Sequence, residues 1–295
     1  AEIGDFMPRS GFLGRTARGV AGLPGMVTAA FLVLAILAFV TAFAQLILPY
    51  EFDAIDLLAR LAPPLPLDGS DAAHPLGTDK LGRDVLSRLF IATQTSILLS
   101  LLGTVFGAVF GTLLGFLAAH RGGWVDEIIS TGVDFQAAMP WFVIALAVLS
   151  FLGNSMTVFL LLMSLYGWER YARITRGLVL SAREEGYALA QHALGATPRH
   201  IYWKHVLPNI MSPLIVQLTI NFPETILFET SLSFLGLGIR PPLTSLGQML
   251  GEGRDYLVTA WWLAVVPGMV IFFATLSMSI VGDWLRVHFD PSLQE

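Results

Sequence analysis

Long uncharged runs alternate with short charged segments along the chain, and the runs set the predicted elements. No Asp, Glu, Lys or Arg occurs between Arg18 and Glu51, and Met26–Leu48 predicts a first membrane helix whose one strongly polar residue is Gln45. Roughly 20 apolar residues suffice to cross a hydrocarbon layer of about 30 Å. This run exceeds the core of a signal peptide, so it is expected to be a retained helix. Arg88 and Arg121 bracket a second uncharged stretch, with a span over Thr95–Ala119. The stretch between Asp134 and Glu169 is too long for one helix, and Gly153-Asn154-Ser155 near its middle is a turn signal. Division there gives a third helix, Ile128–Leu152, and a fourth, Met156–Ile174. Helix five is expected over Ile210–Leu235, and helix six, Trp261–Val281, lies between Asp255 and Asp283. Ahead of helix two, Leu81, Val85, Leu86 and Leu89 recur at helical spacing and predict an amphipathic helix on the outer face.

Composition agrees with these spans and removes other classes. Of 295 residues, 55% are hydrophobic and 13% charged, where a soluble domain carries about 25% charged residues. The mean hydropathy is +0.68. A net charge of −5 argues against a nucleic-acid binder, and the absence of cysteine removes disulfides and thiolate chemistry. The expected fold is an all-α membrane protein of six transmembrane helices.

Lys and Arg counts orient it. With the N-terminus inside, eleven of the 17 fall on the cytoplasmic side, among them Arg9, Arg15, Arg18, Arg121, Arg170, Arg173, Arg176, Arg183 and Lys204. Both termini are therefore expected to be cytoplasmic. The predicted organisation is an N-terminal segment over 1–25, the first helix over 26–48 and an extracytoplasmic loop over 49–90. A five-helix core over 91–282 and a cytoplasmic tail over 283–295 complete it.

Helix two carries Gly103, Gly107, Gly111 and Gly115 at strict four-residue spacing. Such a stripe admits close backbone approach, because lipid supplies no hydrophobic force between helices. Packing within one subunit is the plainer reading, and a subunit interface the other. Glu224 and Glu229 lie within helix five, where a charge costs about 2.5–3.5 kcal/mol on insertion scales. They are candidates for a translocation pathway or for pairing with a neighbouring helix. Asp134 and the Glu169-Arg170 pair are expected to shape the inner mouth.

Between helices four and five, Ser181–Asn209 reads SAREEGYALAQHALGATPRHIYWKHVLPN. Tyr187, Ala190, Ala193 and Leu194 share one helical face, Gly195 is placed to stop that helix, and Pro198 can start another. A helix-Gly-helix elbow on the cytoplasmic face fits docking of another protein, and an interfacial helix lying on lipid is the alternative.

This elbow resembles the cytoplasmic loop motif of ABC importer permeases, matching it at Ala190, Gly195, Leu207 and Pro208 and departing from it at Leu189, Gln191 and His205. HPLGTDKLGRDVLSRL (His74–Leu89), RGGWVDEII (Arg121–Ile129), SLSFLGLGIRPPLTSLGQML (Ser231–Leu250) and GDWLRVHFDPSL (Gly282–Leu293) extend the likeness. They are similar, in the same order, to the dipeptide, oligopeptide and nickel branch of that family, and the chain resembles the second permease of the pair. The resemblance implies the type I permease fold of ABC importers, set in a bacterial inner membrane. It also implies a second, homologous permease, two cytoplasmic ABC ATPase subunits and an extracytoplasmic substrate-binding protein. Glu185, Ala190, Gly195, Leu207 and Pro208 would couple to the ATPases, with the helix over 185–195 seated in an ATPase cleft. ATP and Mg would bind on those partners.

The residues agree by omission. A P-loop needs Gly-Lys-Ser/Thr, and the two lysines, Lys80 and Lys204, follow Asp79 and Trp203. No cofactor, metal or catalytic residue is expected on this chain, and no nucleic acid as partner. Peptide or a solute of similar size is the expected cargo. An ion-gradient-driven carrier using Glu224 and Glu229, and a channel subunit, remain as rival readings, both of which leave the long elbow unexplained.

Overall fold

The computed structural model describes residues 25–184, 206–239 and 241–289. Among them the chain is helical, with one isolated antiparallel bridge between Thr78 and Asp84. The helices are α1 Gly25–Ile47, α2 Val85–Arg121, α3 Gly123–Ala138, α4 Trp141–Leu152, α5 Met156–Ser164, α6 Trp168–Glu184, α7 Leu207–Phe234, α8 Leu246–Gly253 and α9 Trp262–Phe289. Lipid offers no partner to backbone N–H and C=O groups, so apolar runs of this length close their hydrogen bonds internally as helices. Three of the predicted spans appear as continuous helices nearly where expected: α1, α7 and α9. The second is longer than expected.

Among the described residues, four helices are long and apolar enough to cross a membrane, and α3 with α4 makes a fifth if that pair, bent by 89°, counts as one span. The third and fourth predicted spans are not continuous helices, because both divide. Pro140 drives the preceding residue out of the helical region, and Met139 stands extended at ψ 138°. The fourth breaks at 165–167, where Gly167 takes φ +81°. A Cβ on Gly167 would lie 2.5 Å from Asn221 Oδ1 on α7.

The amphipathic outer helix is also corrected. Asp84 caps α2, its carboxylate accepting from Ser87 N at 2.7 Å, so Val85, Leu86 and Leu89 form the first turns of α2 itself. Leu81 lies in the turn before. Val85 and Leu89 face inward, packed with Phe222, Ile226, Leu246 and Trp262. The outer loop between α1 and α2 is otherwise irregular, with a 3-10 turn at Leu57–Ala59.

α1 lies against α2 and α9, pinned by an edge-to-face contact of Phe31 with Trp284 and a bond from Gln94 Nε2 to Thr41 O at 2.7 Å. Its remaining face, with Leu32, Ile36, Phe39 and Leu46, is exposed as a lipid-facing surface requires. Between α4 and α5, Gly153 at φ +80° and the Ser155 cap make the turn predicted there.

Candidate functional site

The most extensive helix pair is α2 with α6, and the four glycines are the reason. A Cβ would sit 2.8 Å from Met163 Cβ at Gly103, 3.1 Å from Ser164 O at Gly107, 2.2 Å from Trp168 O at Gly111 and 2.5 Å from Ala172 O at Gly115. The stripe therefore faces α5, the break and α6 of its own chain, and backbone meets backbone along it. Gly107 lies midway between Thr95 and Ala119, which places the Leu165–Gly167 break halfway along the apolar part of α2.

Two interruptions meet there, Met139-Pro140 between α3 and α4 and Leu165–Gly167 between α5 and α6, beside the continuous α7 with its internal Pro223. Between them lies a cavity of about 320 Å³, lined by residues including Gln136, Pro140, Trp141, Tyr166, Gly167, Glu169, Arg170 and Phe228. Arg170 Nη1 pairs with Glu224 Oε2 on α7, and its Nε lies 3.7 Å from Glu169 Oε1. Tyr166 Oη reaches Glu224 Oε2 at 3.5 Å. Gln136 ties the break together, donating to Leu165 O at 2.6 Å and accepting from Trp168 Nε1 at 2.9 Å. Tyr166 stacks on Phe228 at 4.6 Å, with Phe142 edge-on to the same ring. Glu169 and Arg170 thus open α6 at mid-depth instead of closing a helix at the inner mouth, and the partner on α7 is what makes a charge at that depth tolerable. Gln136, Tyr166 and Trp168 were absent from the sequence reading; Pro140 and Gly167 were the local signals that could have located the breaks.

Glu229 is placed differently from Glu224, being wholly buried. Its Oε2 accepts from Ser96 Oγ on α2 at 2.9 Å and its Oε1 from Ser233 Oγ at 2.7 Å, while Ser96 Oγ accepts from Leu246 N at the start of α8 at 3.0 Å. One carboxylate therefore joins α2, α7 and α8. Gly247 seats α8 directly on α7, where a Cβ would lie 2.5 Å from Thr230 O.

Outside the bundle, the carboxylate of Asp79 accepts from Arg88 Nη1 at 2.6 Å, Arg83 Nε at 2.7 Å and Leu81 N at 2.8 Å. Arg88 also reaches Glu252 on α8 at 3.1 Å. Burial alone would raise the Asp79 pKa, but Arg88, Arg83 and the backbone donors hold it below its ordinary 3.8. This cluster fastens the loop between α1 and α2 to α2 and α8.

At the other end, Asp134 pairs with Arg173 at 3.1 Å on the surface, and Asp126 with Arg176 Nη2 at 2.6 Å, both joining α3 to α6. Of the elbow residues, Glu185, Ala190 and Gly195 lie outside the described residues. Leu207 and Pro208 form the first turn of α7. Val179 and Ala182 of α6, Val206 and Ile210 at the start of α7, and Ala119 of α2 belong to one buried cluster, so both ends of the elbow are held together. A larger groove of about 870 Å³ runs between α2, α6 and α7, but its lining, including Val109, Leu113, Phe116, Leu117, Met211 and Ile215, is mostly apolar and suits acyl chains.

The family described as binding-protein-dependent transport system inner membrane component matches residues 111–295. The chain is 35% identical to the di/tripeptide transport system permease protein DppC of Pseudomonas aeruginosa over 259 residues, 88% of this chain and 86% of that protein. It is 36% identical to the dipeptide transport system permease protein DppC of Escherichia coli, covering 88% and 87%. To the glutathione transport system permease protein GsiD of Pectobacterium atrosepticum it is 33% identical, covering 91% and 87%. In fold it is similar to a chain of the inward-facing MetNI methionine ABC transporter, with a TM-score of 0.54 at 20% identity, covering 70% of this chain and 98% of that one.

Proposed function

Because the chain belongs to the family of binding-protein-dependent transport system inner membrane components, and is a permease subunit of an ABC importer, we propose that it forms half of a pathway for di- or tripeptides or a solute of similar size. The observation that carries the cargo is the 35% identity to a di/tripeptide permease across 88% of the chain. The complex includes an ATPase and a substrate-binding protein; in this reading it has two ATPase subunits and a second, homologous permease. Both termini face the cytoplasm, and ATP and Mg bind on the ATPase chains. The permease itself binds no cofactor and carries no catalytic residue. The cavity where the two helix breaks meet faces the pathway, since interrupted helices with polar linings at mid-depth are where transporters expose backbone and charge to a solute.

Coupling runs through the elbow over 181–209, with Glu185, Ala190, Gly195, Leu207 and Pro208 at the ATPase. What supports this is the buried cluster that binds Val179 and Ala182 to Val206 and Ile210: a push on the elbow reaches both α6 and α7 at their shared end.

The test is to tag this chain, extract it in mild detergent and identify what co-purifies. A second polytopic chain and ATPase chains in stoichiometric amount, with ATP- and binding-protein-dependent uptake of Ala-Ala after reconstitution, are expected. Recovery as a homo-oligomer would refute the assembly. Intact assembly that transports no dipeptide would refute the cargo.

A further inference from the structure

The peptide reading implies a solute with a carboxylate at one end and an ammonium at the other, and the cavity at the two breaks presents both complements. Arg170 stands between two carboxylates, Glu224 and Glu169, with its side chain 38% exposed. Its charge is thus accessible, and the site as a whole retains one negative charge in excess. The first turns of α4 and α6 open onto the same space through Trp141 and Glu169. The N–H groups of a helix's first turn have no intrahelical acceptor and carry partial positive charge. An aromatic wall of Tyr166, Phe228 and Phe142 closes another side. The volume, about 320 Å³, is at the small end for ligand pockets, which favours a di- or tripeptide over a longer chain.

We propose that this cavity is a peptide-terminus subsite: Arg170 receives the α-carboxylate of the passing peptide, and Glu224 with Glu169 receives its α-ammonium. Empty, Arg170 is matched by Glu224 while the charge of Glu169 stays in excess. An arriving zwitterion exchanges that one pair for two, so no further charge is left bare at mid-depth, where an uncompensated one is costly. A peptide blocked at either end leaves one partner unmatched, and a fully apolar solute leaves both. The inference rests on the peptide reading above.

The experiment uses the whole reconstituted complex with its binding protein at saturation, so that capture by the binding protein does not limit uptake, and Ala-Ala as the probe. Arg170→Gln and Glu224→Gln are compared with the charge-swapped pair Arg170→Glu with Glu224→Arg. The swap preserves attraction between α6 and α7 and reverses the charges that a peptide meets. Expected are swapped complexes that assemble, melt near wild type and keep ATPase stimulation by loaded binding protein, with uptake lowered about tenfold, the effect of losing one charge-assisted hydrogen bond. Uptake restored by the swap to within twofold of wild type would make the pair purely structural and overturn the proposal. Should the swap fail to assemble, Arg170→Gln decides: uptake of Ala-Ala at the wild-type rate overturns the assignment, and a tenfold loss with ATPase stimulation retained supports it. Wild-type complexes that carry no dipeptide overturn the peptide reading, and this inference with it; wild-type transport with rescue by the swap overturns the subsite alone.

Discussion

Replacing Gly111 with alanine adds one methyl group at the tightest point of the α2–α6 seam. That Cβ would stand 2.2 Å from Trp168 O and 2.9 Å from Tyr171 Cβ, while ordinary carbon contacts lie at about 3.5–4.0 Å. Trp168 O is backbone, so relief requires α6 to shift as a body. Overpacking of this kind costs about 1–3 kcal/mol, and the upper end applies where the obstacle is rigid. Alanine returns about 1 kcal/mol through helix propensity, leaving a net loss of roughly 2 kcal/mol. At about 2–4 °C per kcal/mol for a chain of this size, the melting temperature should fall by roughly 4–8 °C. Gly177 supplies the control, since it lies on α6 with nothing within 4 Å of its Cβ position. Gly177→Ala should be neutral or stabilise by up to about 1 kcal/mol. The assay is thermal unfolding in detergent, followed by size-exclusion fluorescence. Gly115→Ala, with Ala172 O at 2.5 Å, should come second, and Gly107→Ala, whose nearest atom is 3.1 Å away, should be mildest. Equal melting of Gly111→Ala and Gly177→Ala, or Gly107→Ala as the most damaging, would refute the idea that the stripe works through backbone contact.

Asp79→Asn should cost about 3 kcal/mol at neutral pH, the low end for breaking a buried pair because Glu252 still faces Arg88. Since the folded pKa of Asp79 is depressed, its stabilisation is present above the unfolded value of 3.8 and lost as pH falls through the folded value; melting curves measured across that acid range should fall steeply in the wild type and less in Asp79→Asn. Glu229→Gln should be mild and Glu229→Leu severe, because leucine strands the hydroxyls of Ser96 and Ser233 at about 1–3 kcal/mol each; melting and protease cleavage around α8 would check the order. Gly195→Pro should leave basal ATP hydrolysis in the assembled complex and abolish uptake, and uptake retained at normal expression would remove the elbow from the coupling path.

Where the backbone had no choice, the sequence was readable. Uncharged runs such as Met26–Leu48 and Ile210–Leu235 must close their own hydrogen bonds in lipid, and they appear as Gly25–Ile47 and Leu207–Phe234. Four-residue spacing alone put the glycines on one face. Hydropathy failed at the third and fourth spans because it sums composition and is blind to direction: the run from Phe135 to Trp168 stays apolar while the chain turns at Met139 and again at Gly167. Pro140 marked the first turn in the sequence. The pairing of Arg170 with Glu224, 54 residues apart, had no local signal. Each residue alone is a costly charge, and the rule that such charges gather near helix ends assigned Arg170 to the mouth.

In the proposed coupling, the pairing also lies where a motion of the elbow would have its largest effect. α6 and α7 leave the two ends of the elbow side by side, clamped by Val179, Ala182, Val206 and Ile210. From Glu184 back to Arg170 is roughly 21 Å of helix, and from Leu207 forward to Glu224 roughly 25 Å, at 1.5 Å per residue. A tilt of α6 relative to α7 by roughly 10° about that clamp would displace Arg170 from Glu224 by roughly 4 Å, well beyond the reach of a hydrogen bond. The glycine stripe lets such a tilt occur as sliding along α2, since Gly111 and Gly115 present no side chain to α6. Movement that parts the pair bares a cation and an anion at once, which is the condition a zwitterionic solute satisfies. A tilt that kept the pair closed would leave Arg170 and Glu224 matched to each other, with no free pair to hold a peptide at mid-depth.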